Sequence, residues 1–257
     1  MKKLMFGAVA LAAAVSFAEI TSTNVVGYQN LETKNGNQAV GVTFVPVTGE
    51  GTMADIKIVG YSGDYDAGQI SCGKLDTYGR SITRMFWLDL PEDPVEGWDA
   101  QYGWWDAMGE NEYNDVPLTA GEGLWFDIGE TWAKIQSAGQ VQAETLTIKL
   151  TVGNQLIANA TPVDLSMGDV FIAGYTGDYD AGQISCGLLD GYGRSIKRMF
   201  WLDLPEDPVE GWDAQYGWWD AMGENEYNAD PLKSGESLWL DNGETGVTIN
   251  FPSPLTK

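Results

Sequence analysis

Among 257 residues there is no histidine, and 37 acidic against 14 basic side chains leave a net charge of −23. That excludes Ser-His-Asp and Cys-His catalysis and every imidazole-ligated zinc site, and so acidic a surface repels nucleic acid and anionic membranes. Disorder, a common fate of acidic chains, is opposed by 11 Trp, 11 Tyr and 8 Phe, which bring much apolar area to bury.

The chain opens Met1-Lys2-Lys3, runs apolar from Leu4 to Val15 and reads Ser16-Phe17-Ala18 before Glu19. A basic start, an apolar run of about a dozen residues and small residues at −3 and −1 predict a signal peptide over 1–18. The run is too short for a membrane span, which needs about 20 residues. The expected mature chain starts at Glu19 and does not insert into a membrane. It is secreted, to the extracellular space, the cell surface or a periplasm.

The remainder is a repeat. Residues 60–127 and 174–241 align without a gap and are identical at 58 of 68 positions. GDYDAGQISCG stands at 63–73 and again at 177–187, and the long run Arg84–Asn114 recurs at 198–228. Outside this block a frame survives, with Gly36-Asn37-Gln38 matching Gly153-Asn154-Gln155. Two homologous modules are expected, over 19–139 and 140–257, with a junction at Ser137-Ala138-Gly139.

Within a module helical periodicity is nearly absent and short alternating stretches dominate. Gln69–Leu75 reads as a strand, Asp76-Thr77-Tyr78-Gly79 as a turn and Ser81–Leu90 as its partner strand. That second strand places Ile82, Phe86, Leu88 and Leu90 on one face and Thr83, Met85, Trp87 and Asp89 on the other. Arg84 interrupts the apolar face, which suits an end of the strand or a carboxylate partner. Pro91 and Pro94 end the strand. Segments at 98–106 and 112–114 bracket a turn at Met108-Gly109-Glu110-Asn111, and Leu124–Ile128 is a further strand. Six to eight short strands per module predict an all-β fold of two tandem small β-sandwiches or β-barrels.

Several of these motifs carry a resemblance. A Val-Val-Gly-Tyr strand, the Gly-Asn-Gln-Leu-Ile-Ala-Asn segment (153–159), the Leu-Asp-x-x-Gly hairpins (75–79, 189–193), a Gly-Trp-Trp segment and Gly-Glu-Gly-Leu-Trp-Phe (121–126) together resemble a group of secreted bacterial tandem β-repeat proteins of unknown function. The resemblance implies an exported all-β module and carries no catalytic residue with it. The first module departs from it, reading Ala39-Val40-Gly41-Val42 where the second reads Leu156-Ile157-Ala158-Asn159.

Three constellations carry chemistry. Asp64-Tyr65-Asp66-Ala67-Gly68 and its copy at Asp178–Gly182 have alternate carboxylates in a turn, a pattern that serves a hard cation such as calcium. Asp64, Asp66, Asp178 and Asp180 are the candidate ligands, and a plain acidic surface turn is the competing reading, since Leu75 and Leu189 stand where an EF-hand has its bidentate Glu. The segment 91–106 interleaves carboxylates with aromatic rings. Rings that stack on sugars beside carboxylates that accept hydroxyl hydrogen bonds make a carbohydrate site. Trp98, Tyr102 and Trp105, with Trp212, Tyr216 and Trp219, are its candidates; because Trp104 and Trp105 are adjacent in a strand, one faces the core and the other outward. Paired carboxylates also serve glycoside hydrolysis, but carboxylates are so abundant here that a pair is uninformative. Finally, Cys72 and Cys186 are equivalent positions. They admit an intrachain disulfide across a pseudo-twofold axis, an intermolecular disulfide, or two buried free thiols.

The expected function is non-enzymatic: a secreted or cell-surface structural protein that self-associates through its modules. The alternative is a bivalent carbohydrate-binding protein. Its partner is accordingly itself or an extracellular glycan, with no nucleic acid.

Overall fold

The computed structural model describes residues 26–41, 44, 51–61, 70–75, 81–129, 133–175, 184–189, 195–209, 211 and 213–255. The fold is all-β; among the described residues the sheets are antiparallel and helical structure is confined to two single turns of 3-10 helix. No helix among the described residues is long and apolar enough to cross a membrane.

Among the described residues, ten strands come from each half of the chain. In the first half they are β1 (Val26–Glu32), β2 (Gly36–Gly41), β3 (Gly51–Thr52), β4 (Lys57–Val59), β5 (Ile70–Leu75), β6 (Ser81–Leu90), β7 (Gln101–Trp105), β8 (Pro117–Leu118), β9 (Gly123–Ile128) and β10 (Lys134–Gln140). In the second they are β11 (Leu146–Lys149), β12 (Gly153–Ala158), β13 (Leu165–Ser166), β14 (Phe171–Ala173), β15 (Ile184–Leu189), β16 (Ser195–Leu204), β17 (Gln215–Trp219), β18 (Pro231–Leu232), β19 (Ser237–Asn242) and β20 (Thr248–Phe251). The count exceeds the six to eight strands read from periodicity, because pieces of two or three residues such as β3, β4 and β8 are too short to show an alternation.

Both halves have the same topology. A five-stranded sheet runs β2-β9-β5-β6-β7 in the first half and β12-β19-β15-β16-β17 in the second. A three-stranded sheet runs β1-β10-β4 and β11-β20-β14, and a two-stranded ribbon joins β3 to β8 and β13 to β18. Residues 137–139, the expected junction, lie inside β10 and pair with Gly27, Tyr28 and Gln29 of β1. β10 ends at Gln140 and β11 begins at Leu146.

Each half encloses its own core. In the first, Ile70, Cys72, Met85, Trp87, Trp104, Leu124, Phe126 and Ile128 from the five-stranded sheet meet Ile58 and Ile135 from the three-stranded sheet. The buried face of β6 is thus the one that carries Met85 and Trp87, while Phe86 is half-buried on the opposite face. Both faces of Ser81–Leu90 are apolar in sequence, so alternation alone does not say which is inner; the ring cluster decides. Trp87 and Trp104 are cross-strand partners whose rings meet edge to face at 5.4 Å, and Trp104 meets Phe126 in the same way at 5.9 Å. Such pairs add about 0.5–1.5 kcal/mol each beyond burial. The Trp104 indole N–H donates to the Ile56 carbonyl at 2.8 Å, and Trp218 does the same to Val170.

The two halves touch through a reciprocal seam. Gly41 N–H donates to Gly235 O, and Ala158 N–H to Gly121 O, both at 2.9 Å. Val40 bridges Glu236, and Ile157 bridges Glu122. Since Gly41 and Ala158 are equivalent, as are Gly121 and Gly235, each contact has its mirror. That is the signature of a twofold relation. The symmetry breaks at its centre for a steric reason. A Cβ built on Gly41 would lie 1.7 Å from the Ala158 Cβ, and one on Gly123 would lie 2.6 Å from the Leu156 Cβ. Glycine in one half makes room for alanine and leucine in the other.

Candidate ligand-binding site

The loop from Pro91 to Ala100 is exposed along its whole length and yet tightly bonded. The Asp93 carboxylate accepts from Val95 N–H (2.9 Å) and Glu96 N–H (3.1 Å). The Asp93 carbonyl accepts from Gly97 N–H (2.8 Å) and Trp98 N–H (3.0 Å), and Asp93 N–H donates to Trp98 O. Gly97 closes the turn at φ +78°, a conformation glycine adopts without strain. This network holds Trp98 out in water at 63 % exposure.

Tyr102 follows at the edge of the sheet. Its ring is 52 % exposed, and its inner edge packs on the buried Trp87 at 5.2 Å. Its position is set by Gly103, where φ is +107° and a side chain would collide with Asn114. The Asn114 amide fills that place, accepting from Trp104 N–H at 2.8 Å and donating to Tyr102 O at 3.0 Å. A side chain thus caps backbone groups of the edge strand β7. Asn228 does the same beside Gly217 in the second half.

A second turn, 106–111, completes the rim. Asp106 accepts from Met108 and Glu110 N–H groups and from the Asn111 amide, and Gln101 donates to Gly109 O at 2.6 Å. The Asn111 amide first, then the backbone N–H groups, hold the Asp106 carboxyl below its ordinary range; Asn225 and its neighbours do so for Asp220. That direction is opposite to what a general acid near neutrality requires.

In the second half these loops enclose a cleft of about 710 Å³, lined by Pro205, Glu206, Asp207, Asp213, Gln215 and Met222. The corresponding first-half residues are Pro91, Glu92, Asp93, Asp99, Gln101 and Met108. Several carboxylates, an amide and apolar side chains converge there. Such a surface accepts hydrogen bonds from hydroxyl groups while offering leucine, proline and a thioether to apolar faces.

Of the residues expected from sequence, Trp98, Tyr102 and Tyr216 are exposed, and Tyr216 does not line the cleft itself. Trp105 and Trp219 are not part of it. They are half-buried on the opposite face of the sheet, across from Phe86 and Phe200, because three positions separate Trp105 from Tyr102 and an odd spacing changes face. Trp212 and the four aspartates expected to hold calcium, Asp64, Asp66, Asp178 and Asp180, lie outside the described residues, as does the expected leader. Among the described residues, no three His, Cys, Asp or Glu side chains are grouped to hold a metal ion.

Cys72 and Cys186 are free and buried. Each sits in the core of its own half. Burial pushes both thiols well above the ordinary range, partly offset at Cys72 by Lys74.

A carboxylate partner was among the expectations for Arg84, but sequence reasoning missed the group it belongs to on the open face of the five-stranded sheet. Arg84 donates through Nε to Ser71 Oγ at 3.1 Å and through Nη2 to the Asp127 carboxylate at 3.0 Å. The Trp125 indole N–H donates to Asn37 Oδ1 at 3.1 Å. The one signal was Arg84 on an otherwise apolar stretch; its partner is 43 residues away and adjacent only through the order β9-β5-β6. No known protein family, curated protein or solved structure matches this chain.

Proposed function

We propose that the chain is a secreted, non-enzymatic, bivalent binder of neutral glycans. The observation that supports this most is the combination of exposed rings and a cleft: Trp98, Tyr102 and Tyr216 stand exposed on or beside the bonded, carboxylate-rich loops, and in the second half those loops carry a cleft of about 710 Å³. The charge selects the glycan class. A net charge of −23 repels sulfated or uronic polymers, whereas carboxylates accept hydroxyl protons from uncharged sugars. Two sites on one chain raise the avidity for a polymer without further contacts. Titration of soluble neutral polysaccharides should quench or shift the tryptophan emission, and Trp98→Ala with Trp212→Ala should weaken the response at least 10-fold. Silence across a broad neutral panel would end this reading.

The reciprocal seam favours a second reading, the self-association expected from the sequence. The Gly41–Ala158 and Gly123–Leu156 fits match a first half to a second half. Within one chain the fit is satisfied; exchanged between chains, it would link them head to tail. Light scattering at high concentration distinguishes the two, since exchange gives chain-length multiples and an intact seam gives one chain per particle.

A further inference from the structure

The open face of each five-stranded sheet has a gap where a side chain is missing. Gly73 on β5 is in register with Arg84 on β6 and with Trp125 on β9. The indole and the guanidinium therefore flank an empty column. Strands lie about 4.8 Å apart, so the two flanking backbones are about 9.6 Å apart across β5. One flat layer in contact on both faces needs about 7 Å. The resulting hollow has a volume of about 200 Å³, and its lining includes Asn37, Ser71, Gly73, Arg84, Trp125 and Asp127. Its counterpart over Gly187 has about 250 Å³. Both fall below the range of about 300–1,000 Å³ typical of drug-sized ligands, and suit a single ring.

The walls are pre-set. Ser71, 2 % exposed, fixes the Arg84 Nε, and Asn37 fixes the Trp125 indole. In the second half Ser185 holds Arg198 at 3.2 Å, Asp241 stands 3.6 Å from Arg198, and Asn154 accepts from Trp239 at 2.8 Å. Groups held before binding lose less entropy on binding. Asp127 neutralises Arg84, which removes the attraction for an anion and leaves a guanidinium donor beside a carboxylate acceptor. Vicinal hydroxyls match that pair: one accepts from Arg84 while its neighbour donates to Asp127. The indole takes the apolar face of the same ring.

We infer that the hollows over Gly73 and Gly187 are two further sites, each taking one neutral hexopyranose ring between tryptophan and arginine. They share no residue with the second-half cleft or with the loop that carries Trp98, and the test reads the two locations separately. ¹H–¹⁵N spectra of the full chain would be recorded with glucose, mannose, galactose and N-acetylglucosamine, and with glucuronate as the anionic comparison. At least one neutral sugar should shift the indole N–H signals of Trp125 and Trp239 saturably, while Trp104 and Trp218 stay fixed by their carbonyl partners. Gly73→Val should abolish the Trp125 response and spare that of Trp239, whose persistence also reports that the chain is folded. Unmoved Trp125 and Trp239 signals with every neutral sugar, a response to glucuronate alone, or an undiminished Trp125 response in Gly73→Val would overturn the inference. A shift confined to Trp98 would support the cleft and refute the hollows; shifts at Trp125 and Trp239 without Trp98 would do the reverse.

Discussion

Gly41→Ala tests the seam between the halves. The added Cβ would lie 1.7 Å from the Ala158 Cβ and 3.2 Å from its Cα. Carbon atoms in contact sit about 3.5–4.0 Å apart, so β2 and β12 must part by about 2 Å. Both methyls are anchored directly to backbone, and no rotamer change relieves the clash. Overpacking of this kind costs about 1–3 kcal/mol. The Gly41–Gly235 and Ala158–Gly121 hydrogen bonds lie in the same seam, and losing one of the two costs about 1 kcal/mol net. The expected loss is therefore about 2–4 kcal/mol. Urea unfolding followed by tryptophan fluorescence would compare wild type, Gly41→Ala, Ala158→Gly and the double exchange. Ala158→Gly leaves a methyl-sized gap worth about 1 kcal/mol. The double exchange restores one methyl at the seam and should fall within about 1 kcal/mol of wild type, a coupling of about 2 kcal/mol or more. A Gly41→Ala loss below about 0.5 kcal/mol, or a double exchange no better than the sum of its parts, would refute the reciprocal seam.

Three further outcomes are expected. Gly103→Ala should destabilise by about 2 kcal/mol or more, from its positive φ and from displacement of Asn114; Gly97→Ala, with a similar φ but open space around it, should lose only the backbone part, about 1 kcal/mol, and equal losses in thermal unfolding would contradict the assigned role of Asn114. The Asp106 and Asp220 carboxyls are held low when folded, so their ionised form stabilises the 106–111 and 220–225 turns above the unfolded value near pH 4, and that contribution is lost as pH falls through the folded value; the Glu110 and Glu224 amide signals should move over that acid range and lose the response in Asp106→Asn and Asp220→Asn. Both thiols should resist a water-soluble disulfide reagent at pH 8 in the native chain and react fully in denaturant; rapid native reaction would contradict their burial.

The all-β class was legible because alternation, turn residues and the absence of helical period agree, and Ser81–Leu90 and Leu124–Ile128 correspond to β6 and β9. The inner face of β6 was not, since Phe86 and Trp87 are equally apolar and only the partner Trp104 distinguishes them. Trp98 and Tyr102, singled out by composition, are exposed, whereas Trp105, grouped with them by proximity in sequence, is half-buried on the other face by strand parity. Arg84–Asp127 and the hollow over Gly73 depend on β5 lying between β9 and β6, a non-sequential order that local pattern does not encode. The change from Ala39-Val40-Gly41 to Leu156-Ile157-Ala158 was visible, but its meaning lies in a contact between residues 117 positions apart.

Isothermal titration of the full chain with a neutral oligosaccharide of four to six rings, chosen by its effect on tryptophan emission, tests the binding account most directly. Two oligosaccharides per chain are expected at the clefts, falling to one when Trp98 and Tyr102 are both replaced by alanine, with the second-half site retained. Absence of heat with every neutral oligosaccharide, or a stoichiometry unchanged by removing Trp98 and Tyr102, would contradict it.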